Sequence, residues 1–259
     1  MSKNHLQKSE NLIRALHEVP RGMPISTAQC EQQWGVSRQS VHWYTKSGWL
    51  SSLGHGYYIR IGDIPTVTGT VAALEASGFK VHIAGKSALD LKGFSHYLSL
   101  GNGKLYLYGR NVRQLPQWLS KFFSVETATK KLFKECDEAS ERLFVRPLDQ
   151  QNETSPYVSD PERAILEMLD NVPVTQTLEE AKEIMEGMYS LNPGKLEILL
   201  ERCVRIRVKR LFWLLCKELD LPVIKEIDIN KVDFGSDSPY IISNGQKTMV
   251  IKNPITGKI

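Results

Sequence analysis

The chain has 259 residues, with 41% hydrophobic and 24% charged side chains, which is typical of a folded globular protein and excludes a largely disordered one. Its net charge is +4, and residues 1–62 hold this whole excess, with seven Lys or Arg against three Asp or Glu. A basic segment on an otherwise neutral chain favours a polyanionic partner for that segment, although so small an excess also arises by chance.

The cysteine and apolar patterns argue against metal-binding, secreted and membrane proteins. The four cysteines, at positions 30, 136, 203 and 216, include no CxxC pair and no zinc-binding spacing. The opening residues, MSKNHLQKSEN, lack the apolar core of a signal peptide. The longest apolar run near the C-terminus, LFWLLC, is far shorter than the roughly 20 residues of a membrane span. We therefore expect a cytoplasmic protein with reduced thiols, no metal and no membrane contact.

The N-terminal residues predict three helices. SENLIRALHEVP has apolar residues at i, i+4 and i+7, which predicts one helix that ends at the following Pro and Gly residues. In ISTAQCEQQWGVSRQSVHWYTKSGWL, Ser26 or Thr27 is expected to cap a second helix, Gly35 to form a turn, and Ser37 to cap a third helix. Two short helices joined by a glycine-containing turn are typical of a helix-turn-helix.

A β-hairpin is predicted directly after the third helix. In GWLSSLGHGYYIR, aromatic and β-branched residues flank the turn Gly54-His55-Gly56. A hairpin in this position is a wing, so residues 1–62 are predicted to form a winged helix-turn-helix domain. The charge excess and the polar start of the third helix favour binding of double-stranded DNA. A protein-interaction module is the alternative.

The third helix is the predicted DNA reader, because its N-terminal half would meet base edges in the major groove. Arg38 is suited to guanine, Gln39 to adenine, and Lys46 to backbone phosphate, while Val41 and Tyr44 are predicted to point into the core. The predicted DNA-binding residues are Ser37, Arg38, Gln39, Ser40, His42, Trp43 and Lys46 in this helix, and His55 and Arg60 in the wing. For Trp43, packing against another domain is an equal alternative.

The stretch VHIAGKSALDLKG contains Gly85-Lys86-Ser87, the end of a Walker A loop. The motif G-x-x-x-x-G-K-[ST] requires a glycine at position 80, which is Lys80, and FKVHIA is predicted to run as a strand directly into Gly85. No loop is left to enclose a phosphate, and no Walker B strand follows. We therefore expect no nucleotide or other cofactor here, but a strand, a glycine turn and a helix that begins at Lys86 or Ser87.

The remaining chain alternates strand and helix patterns. KLYLYGR, FSVETATKKLF and RLFVRPL are predicted strands, and LPQWLSKFF is a predicted short helix. SDPERAILEML predicts a helix start in which Ser159 and Glu162 form a capping box, with Pro161 in the first turn. Further helices are predicted for residues 178–188 and from Asn192-Pro193 to about Leu219.

Together these patterns predict an α+β fold of two domains. An N-terminal winged helix-turn-helix (1–62) is followed by a larger mixed α/β domain (63–259), which ends in a helical block at about 159–219. The tail after Pro222 carries no interpretable pattern.

The segment ERCVRIRVKR in the helical block is a candidate basic surface. Arg202, Arg205 and Lys209 fall at i, i+3 and i+7 and are predicted to share one helical face, with Arg207 and Arg210 to its side. Such a face would suit nucleic acid or an acidic partner. The alternative is an ordinary solvated face that pairs with nearby acids such as Glu201. No carboxylate spacing, GxSxG motif or Cys–His arrangement marks a catalytic site, so no enzymatic activity is expected.

The order of these motifs resembles a known family. GWLSSLGHGYYIR, HIAGKSALDLKGF, KLYLYG, LFVRPLD, YVSDPERAILEMLDNVP and VKRLFWLLCKELDLP follow one another as in the AbiEi-type antitoxins of type IV toxin–antitoxin systems, over residues 12–222. The resemblance implies a bacterial abortive-infection protein with two roles. Its winged helix would repress its own operon by binding repeated half-sites in promoter DNA. Its C-terminal domain would counteract a cognate AbiEii-type nucleotidyltransferase toxin, with or without direct contact between the two proteins.

Two other functions are compatible with the sequence. One is a winged-helix transcription factor with a small-molecule effector domain, which a deep apolar pocket would favour. The other is a DNA-processing enzyme with its active site within 63–259, which clustered carboxylates with bound Mg²⁺ or Mn²⁺ would favour.

Overall fold

The structure, a computed structural model, describes residues 14–94, 104–128, 131–134, 142–243 and 248–257. The chain forms two compact units. The first unit comprises Met1–His82, Gly101–Thr127 and Pro147–Tyr157. The second unit comprises Ile83–Leu100, Ala128–Arg146 and Val158–Ile259. Helices and several sheets alternate along the chain, so the fold is α+β, as predicted.

The first unit opens with the predicted order of elements. Helix α1 (described over 14–18), β1 (Ile25–Ser26), α2 (Thr27–Trp34), α3 (Arg38–Lys46), β2 (Leu50–Gly54) and β3 (Tyr57–Arg60) follow one another. The strands form an antiparallel sheet in the order β1-β3-β2. The register pairs Leu50 with Arg60 and Ser52 with Tyr58. The hairpin predicted from the Gly-His-Gly turn is therefore confirmed.

Side-chain caps explain where α2 and α3 begin. The Ser26 hydroxyl accepts a hydrogen bond from the backbone N–H of Gln29, and the Ser37 hydroxyl accepts one from Ser40. Gly35 ends α2 in the left-handed conformation, with a φ of 63°, which costs a glycine little. Both predicted caps and the glycine turn are confirmed.

The first unit continues with α4 (Val67–Ala76), most of β4 (Val81–Ile83), β5 (Lys104–Gly109) and β6 (Ser124–Thr127). Between β5 and β6 lie two short 3₁₀ turns, Val112–Gln114 and Gln117–Lys121. β5 and β6 are parallel, with Lys104 opposite Ser124. Gly109 has a φ of 139°, and a Cβ there would lie 2.1 Å from the Lys80 carbonyl oxygen, so only glycine fits this close approach.

With β7 (Val145–Pro147) and β8 (Tyr157–Ser159), these strands form a five-stranded sheet in the order β6-β5-β4-β8-β7. β4 and β8 are parallel, with Ile83 opposite Val158. The strands predicted in FKVHIA, KLYLYGR, FSVETATKKLF and RLFVRPL are all present.

The second unit is mainly helical. Its helices are α5 (Gly85–Leu91), α6 (Pro161–Asp170), α7 (Leu178–Glu186), α8 (Pro193–Arg202) and α9 (Ile206–Glu218). The tail after α9 forms two 3₁₀ turns, Pro222–Lys225 and Ile229–Lys231, and an antiparallel pair of strands, β9 (Tyr240–Ser243) and β10 (Thr248–Ile251). Of the helices in the described ranges, none has the length and apolar character required to span a bilayer.

The predicted capping box at the start of α6 is wrong. Ser159 is the last residue of β8, and Asp160 takes the N-cap position without a side-chain cap bond. The Ser159 hydroxyl instead donates a hydrogen bond to the Glu167 carboxylate at 2.8 Å. The Ser159 hydroxyl, which was predicted to cap α6, is therefore bound to the buried Glu167 carboxylate of that helix.

The single basic helical face predicted for residues 202–210 is also wrong, because the helix is interrupted. α8 ends at Arg202 and α9 begins at Ile206. Between them the chain is extended: Cys203 forms a β-bridge with Phe133, and the Val204 N–H donates to the Leu132 carbonyl. The spacing i, i+3, i+7 does not place side chains together across such a break.

Four of the five basic side chains of residues 202–210 bind carboxylates or backbone carbonyls of the second unit. Arg205 and Arg207 both pair with the Asp170 carboxylate. Lys209 is 3% exposed and donates to the Asp233 carbonyl, and burial lowers its pKa. Arg210 is 1% exposed and donates to three backbone carbonyls, of Phe234, Ser236 and Ser238. Arg202, the fifth, is half-buried and lies before the break, so it does not share a helical face with the other four.

The carboxylate of Glu167 joins three segments of the second unit. It is fully buried and accepts hydrogen bonds from the Gly85 backbone N–H at 3.0 Å, from Ser159 at 2.8 Å and from Arg163 Nε at 2.7 Å. Lys86, the next residue of the GKS segment, pairs with Glu180 on α7. The GKS segment thus anchors the start of α5 to α6 and α7.

We predict that Glu167→Ala lowers the free energy of unfolding by about 3–5 kcal/mol, because it leaves the Arg163 guanidinium buried without its counter-charge. Urea unfolding followed by circular dichroism measures this change. Glu183→Ala, at an exposed position of α7, is the control and should change stability by less than about 0.5 kcal/mol. Equal stability of the two variants would contradict the role assigned to Glu167.

Candidate nucleic-acid interface

Helix α3 has one buried side and one exposed polar side. Val41 is 0% and Tyr44 1% exposed, in a core cluster with residues of α1, α2 and β2. The exposed positions are Arg38, Gln39, His42, Trp43 and Lys46. These are five of the seven α3 residues predicted to bind DNA, and the structure places all five on the surface of the first unit.

The other two predicted residues of this helix, Ser37 and Ser40, are engaged in its cap. Ser40 is 8% exposed, and its hydroxyl lies 3.0 Å from that of Ser37. The Ser37 hydroxyl also accepts from the Ser40 N–H. Both side chains therefore fix the start of α3 and hold Arg38 and Gln39 in place.

The hairpin turn carries His55 at its tip. His55 is exposed and has a φ of 53°, and both flanking residues, Gly54 and Gly56, also have positive φ. The Thr27 backbone N–H and hydroxyl both donate to the Gly56 carbonyl, at 2.8 and 3.0 Å. The turn is thereby held against the start of α2.

Arg60, the last residue of β3, is turned towards α1 instead of solvent. Its guanidinium donates to the carbonyls of Leu16 and Val19, where α1 ends. Asp63 lies beside it and accepts hydrogen bonds from Arg21 at 2.7 Å and from the Gly22 N–H at 3.2 Å. Arg60 therefore fastens the hairpin to α1, a role that differs from the predicted DNA contact.

The pKa of Asp63 reflects this network. Partial burial alone would raise its pKa, but the hydrogen bonds from Arg21 and Gly22 and the charges of Arg21 and Arg60 outweigh burial and lower it. Arg21 and Asp63 could not be found from the sequence, since a hydrogen bond between residues 42 positions apart leaves no periodic signal. The short spacing of Arg60 and Asp63 was the one local sign.

The exposed side of α3 and the hairpin carry positive charge without nearby carboxylates in the sequence. Residues 32–62 contain no Asp or Glu, and of their three cations Arg38 and Lys46 are exposed, whereas Arg60 is held towards α1 beside Asp63. A surface of this composition attracts polyanions.

Within the described ranges, the His, Cys, Asp and Glu side chains form no cluster of three or more that could hold a metal ion. Burial raises the pKa of the Cys30 thiol to about 12 and that of Cys203 to about 11.

Comparison with known proteins identifies the family. A family model described as "Transcriptional regulator, AbiEi antitoxin, Type IV TA system" matches residues 102–254. A second, described as "Transcriptional regulator, AbiEi antitoxin N-terminal domain", matches residues 8–100. The chain belongs to the AbiEi antitoxin family. The resemblance seen in the sequence motifs is thereby confirmed.

Solved structures and curated sequences add little about AbiEi function. The chain is similar in fold to the RV2827C protein from Mycobacterium tuberculosis, with a TM-score of 0.57 over 90% of this chain and 88% of that one. At 14% sequence identity this likeness concerns the fold alone. No curated protein sequence matches the chain. The AbiEi description, a transcriptional regulator and antitoxin, names no enzymatic activity.

We predict that Asp63→Asn destabilises this AbiEi protein by about 1–2 kcal/mol at pH 7, because a charge-assisted hydrogen bond is lost. A lowered carboxyl pKa contributes stability above the pKa of the unfolded chain and loses it as the pH falls through the folded pKa. The difference between wild type and variant should therefore shrink below about pH 4.

Thermal unfolding between pH 3 and pH 8 measures this difference. Asp149→Asn is a suitable control, since Asp149 is exposed and its carboxylate accepts a hydrogen bond from the neighbouring Gln151 N–H. A deficit of the Asp63 variant that stays constant over this pH range would show that its charge is unimportant.

Proposed function

We propose that this AbiEi protein represses its own operon by binding double-stranded promoter DNA through a winged helix-turn-helix formed by residues 1–62. The supporting observation is the exposed polar side of α3 next to a hairpin, with cations and no carboxylate between residues 32 and 62. An exposed helix followed by a β-hairpin is the arrangement with which winged helices enter the major groove.

Within this proposal, the exposed residues of α3 read the bases. Arg38 is suited to the O6 and N7 acceptors of guanine, and Gln39 to adenine. His42 and Trp43 lie beside them on the same exposed side, where Trp43 is 53% exposed. Lys46 in the last turn and His55 at the hairpin tip suit backbone phosphates. Ser37, Ser40 and Arg60 position these groups.

We further propose that residues 63–259 counteract a cognate AbiEii-type nucleotidyltransferase toxin, and that this needs no direct contact with the toxin. The description of the family as a type IV antitoxin supports this role. Repeated half-sites in the promoter would be bound by separate copies of the chain. Because DNA binding is assigned to residues 1–62 and toxin counteraction to residues 63–259, the two roles would depend on different residues.

We predict that Arg38→Ala and Gln39→Ala each weaken promoter binding by about 1–3 kcal/mol and relax the preference at one base position, because each removes a contact with a base edge. Gel shifts with the promoter fragment and with single-base variants of it measure both effects. Lys225→Ala, which removes an exposed cation of the second unit, is the control and should bind as wild type does. Unchanged binding by both α3 variants would exclude α3 as the reader.

The double variant Arg38→Ala/Gln39→Ala should separate the two roles. Expressed from an independent promoter, it should fail to repress a reporter under the native promoter but still rescue growth of cells that express the toxin. Wild type should do both, and immunoblots should show equal amounts of the two proteins. Loss of rescue together with repression would show that toxin counteraction depends on DNA binding.

A further inference from the structure

A second basic stretch lies outside the predicted DNA-binding domain. Residues 91–125 contain five Lys or Arg residues and no Asp or Glu, in a chain with 29 acidic residues among 259. The net charge of residues 63–259 as a whole is zero, so this local excess of positive charge does not show in the total. Its described part in the first unit, residues 104–125, includes β5 and the two 3₁₀ turns that follow it.

The second of these turns, Gln117–Lys121, packs on the hairpin. Trp118 is 1% exposed, and its ring centroid lies 5.5 Å from that of Tyr57. Tyr58 packs against the core cluster of α3, so Tyr57 lies on the opposite side of the hairpin. Tyr57 also directly follows the turn that carries His55. The Gln117–Lys121 turn is therefore fastened to the hairpin near its tip, on the side opposite the core cluster of α1, α2 and α3.

The exposed side chains of the segment formed by the two 3₁₀ turns, residues 112–121, are suited to phosphate. Val112, Trp118 and Leu119 are buried and anchor it, whereas Arg113 and Lys121 are exposed. Neither of these cations pairs with a carboxylate of the described residues. The other exposed side chains of the two turns, Gln114, Gln117 and Ser120, are polar and uncharged. Arg, Lys, Gln and Ser are the residue types that contact DNA phosphates.

We propose that Arg113 and Lys121 bind phosphates of the same duplex beside the hairpin tip, and so extend the DNA-binding surface beyond the helix-turn-helix. This inference rests on the proposed binding of DNA by α3. Because phosphates carry no base information, the two residues raise affinity for every sequence equally. Trp118 holds the segment in place through its contact with Tyr57.

The test compares the full-length wild type with Arg113→Ala/Lys121→Ala. Dissociation constants are measured by fluorescence anisotropy for the promoter fragment and for a scrambled duplex of equal length, between 50 and 300 mM KCl. Each phosphate contact contributes about 0.9 to the slope of log affinity against log salt, so the double variant should lose about 1.8. Its affinity at 0.1 M salt should fall roughly 10- to 60-fold on both duplexes, which leaves their ratio unchanged.

A matched variant, Lys217→Ala/Lys225→Ala, removes two exposed lysines of the second unit and should keep the wild-type slope. Thermal unfolding should show that all three proteins are folded, since every substituted side chain is exposed. If wild type binds DNA and the Arg113/Lys121 variant keeps its slope, this inference fails while the proposed function stands. If wild type binds neither duplex, both fail.

Discussion

The burial of one side of α3 is the constraint on which the candidate site depends. Val41 and Tyr44 are held in a small cluster with Leu16, Cys30 and Leu50, so the helix cannot rotate without exposing them. Complete burial of such side chains is worth about 1.5–3 kcal/mol each. With that side fixed, the intervening residues of the helix necessarily face outward. Burial of the apolar side of α3 thus determines which of its side chains are exposed to solvent.

Positive charge on α3 differs from that in the second unit, and the difference lies in the carboxylates nearby. In the second unit, buried acids take up the basic side chains: Glu167 binds Arg163, and Asp170 binds Arg205 and Arg207. Unpaired buried charge is costly, so such pairs hold the unit together and withdraw Arg163, Arg205 and Arg207 from contact with a partner. Around α3 no acid lies between residues 32 and 62, and Arg38 and Lys46 stay exposed. Local acid content therefore says more about a binding surface than a count of Lys and Arg.

Features that depend on neighbouring residues could be predicted from the sequence, whereas features that depend on tertiary contacts could not. The caps at Ser26 and Ser37 and the glycine turns depend on neighbours a few residues away, so a local reading of the sequence finds them. Arg60 was assigned to DNA and Ser159 to a cap because their actual partners, Leu16 and Val19 for one and Glu167 for the other, are chosen by tertiary packing. The break after Arg202 likewise results from the β-bridge between Phe133 and Cys203, which helical periodicity does not reveal.

The GKS segment shows how a motif fragment acquires a structural use. A phosphate-binding loop depends on free backbone N–H groups at the start of a helix. Here the N–H of Gly85 already donates to the buried Glu167 carboxylate, which lies 82 residues further along the chain. An internal anion thus occupies a donor that a phosphate would need, and Lys86 is paired with Glu180. A nucleotide phosphate at this helix would have to displace Glu167 and would leave the buried Arg163 without its counter-charge, and that cost opposes nucleotide binding here.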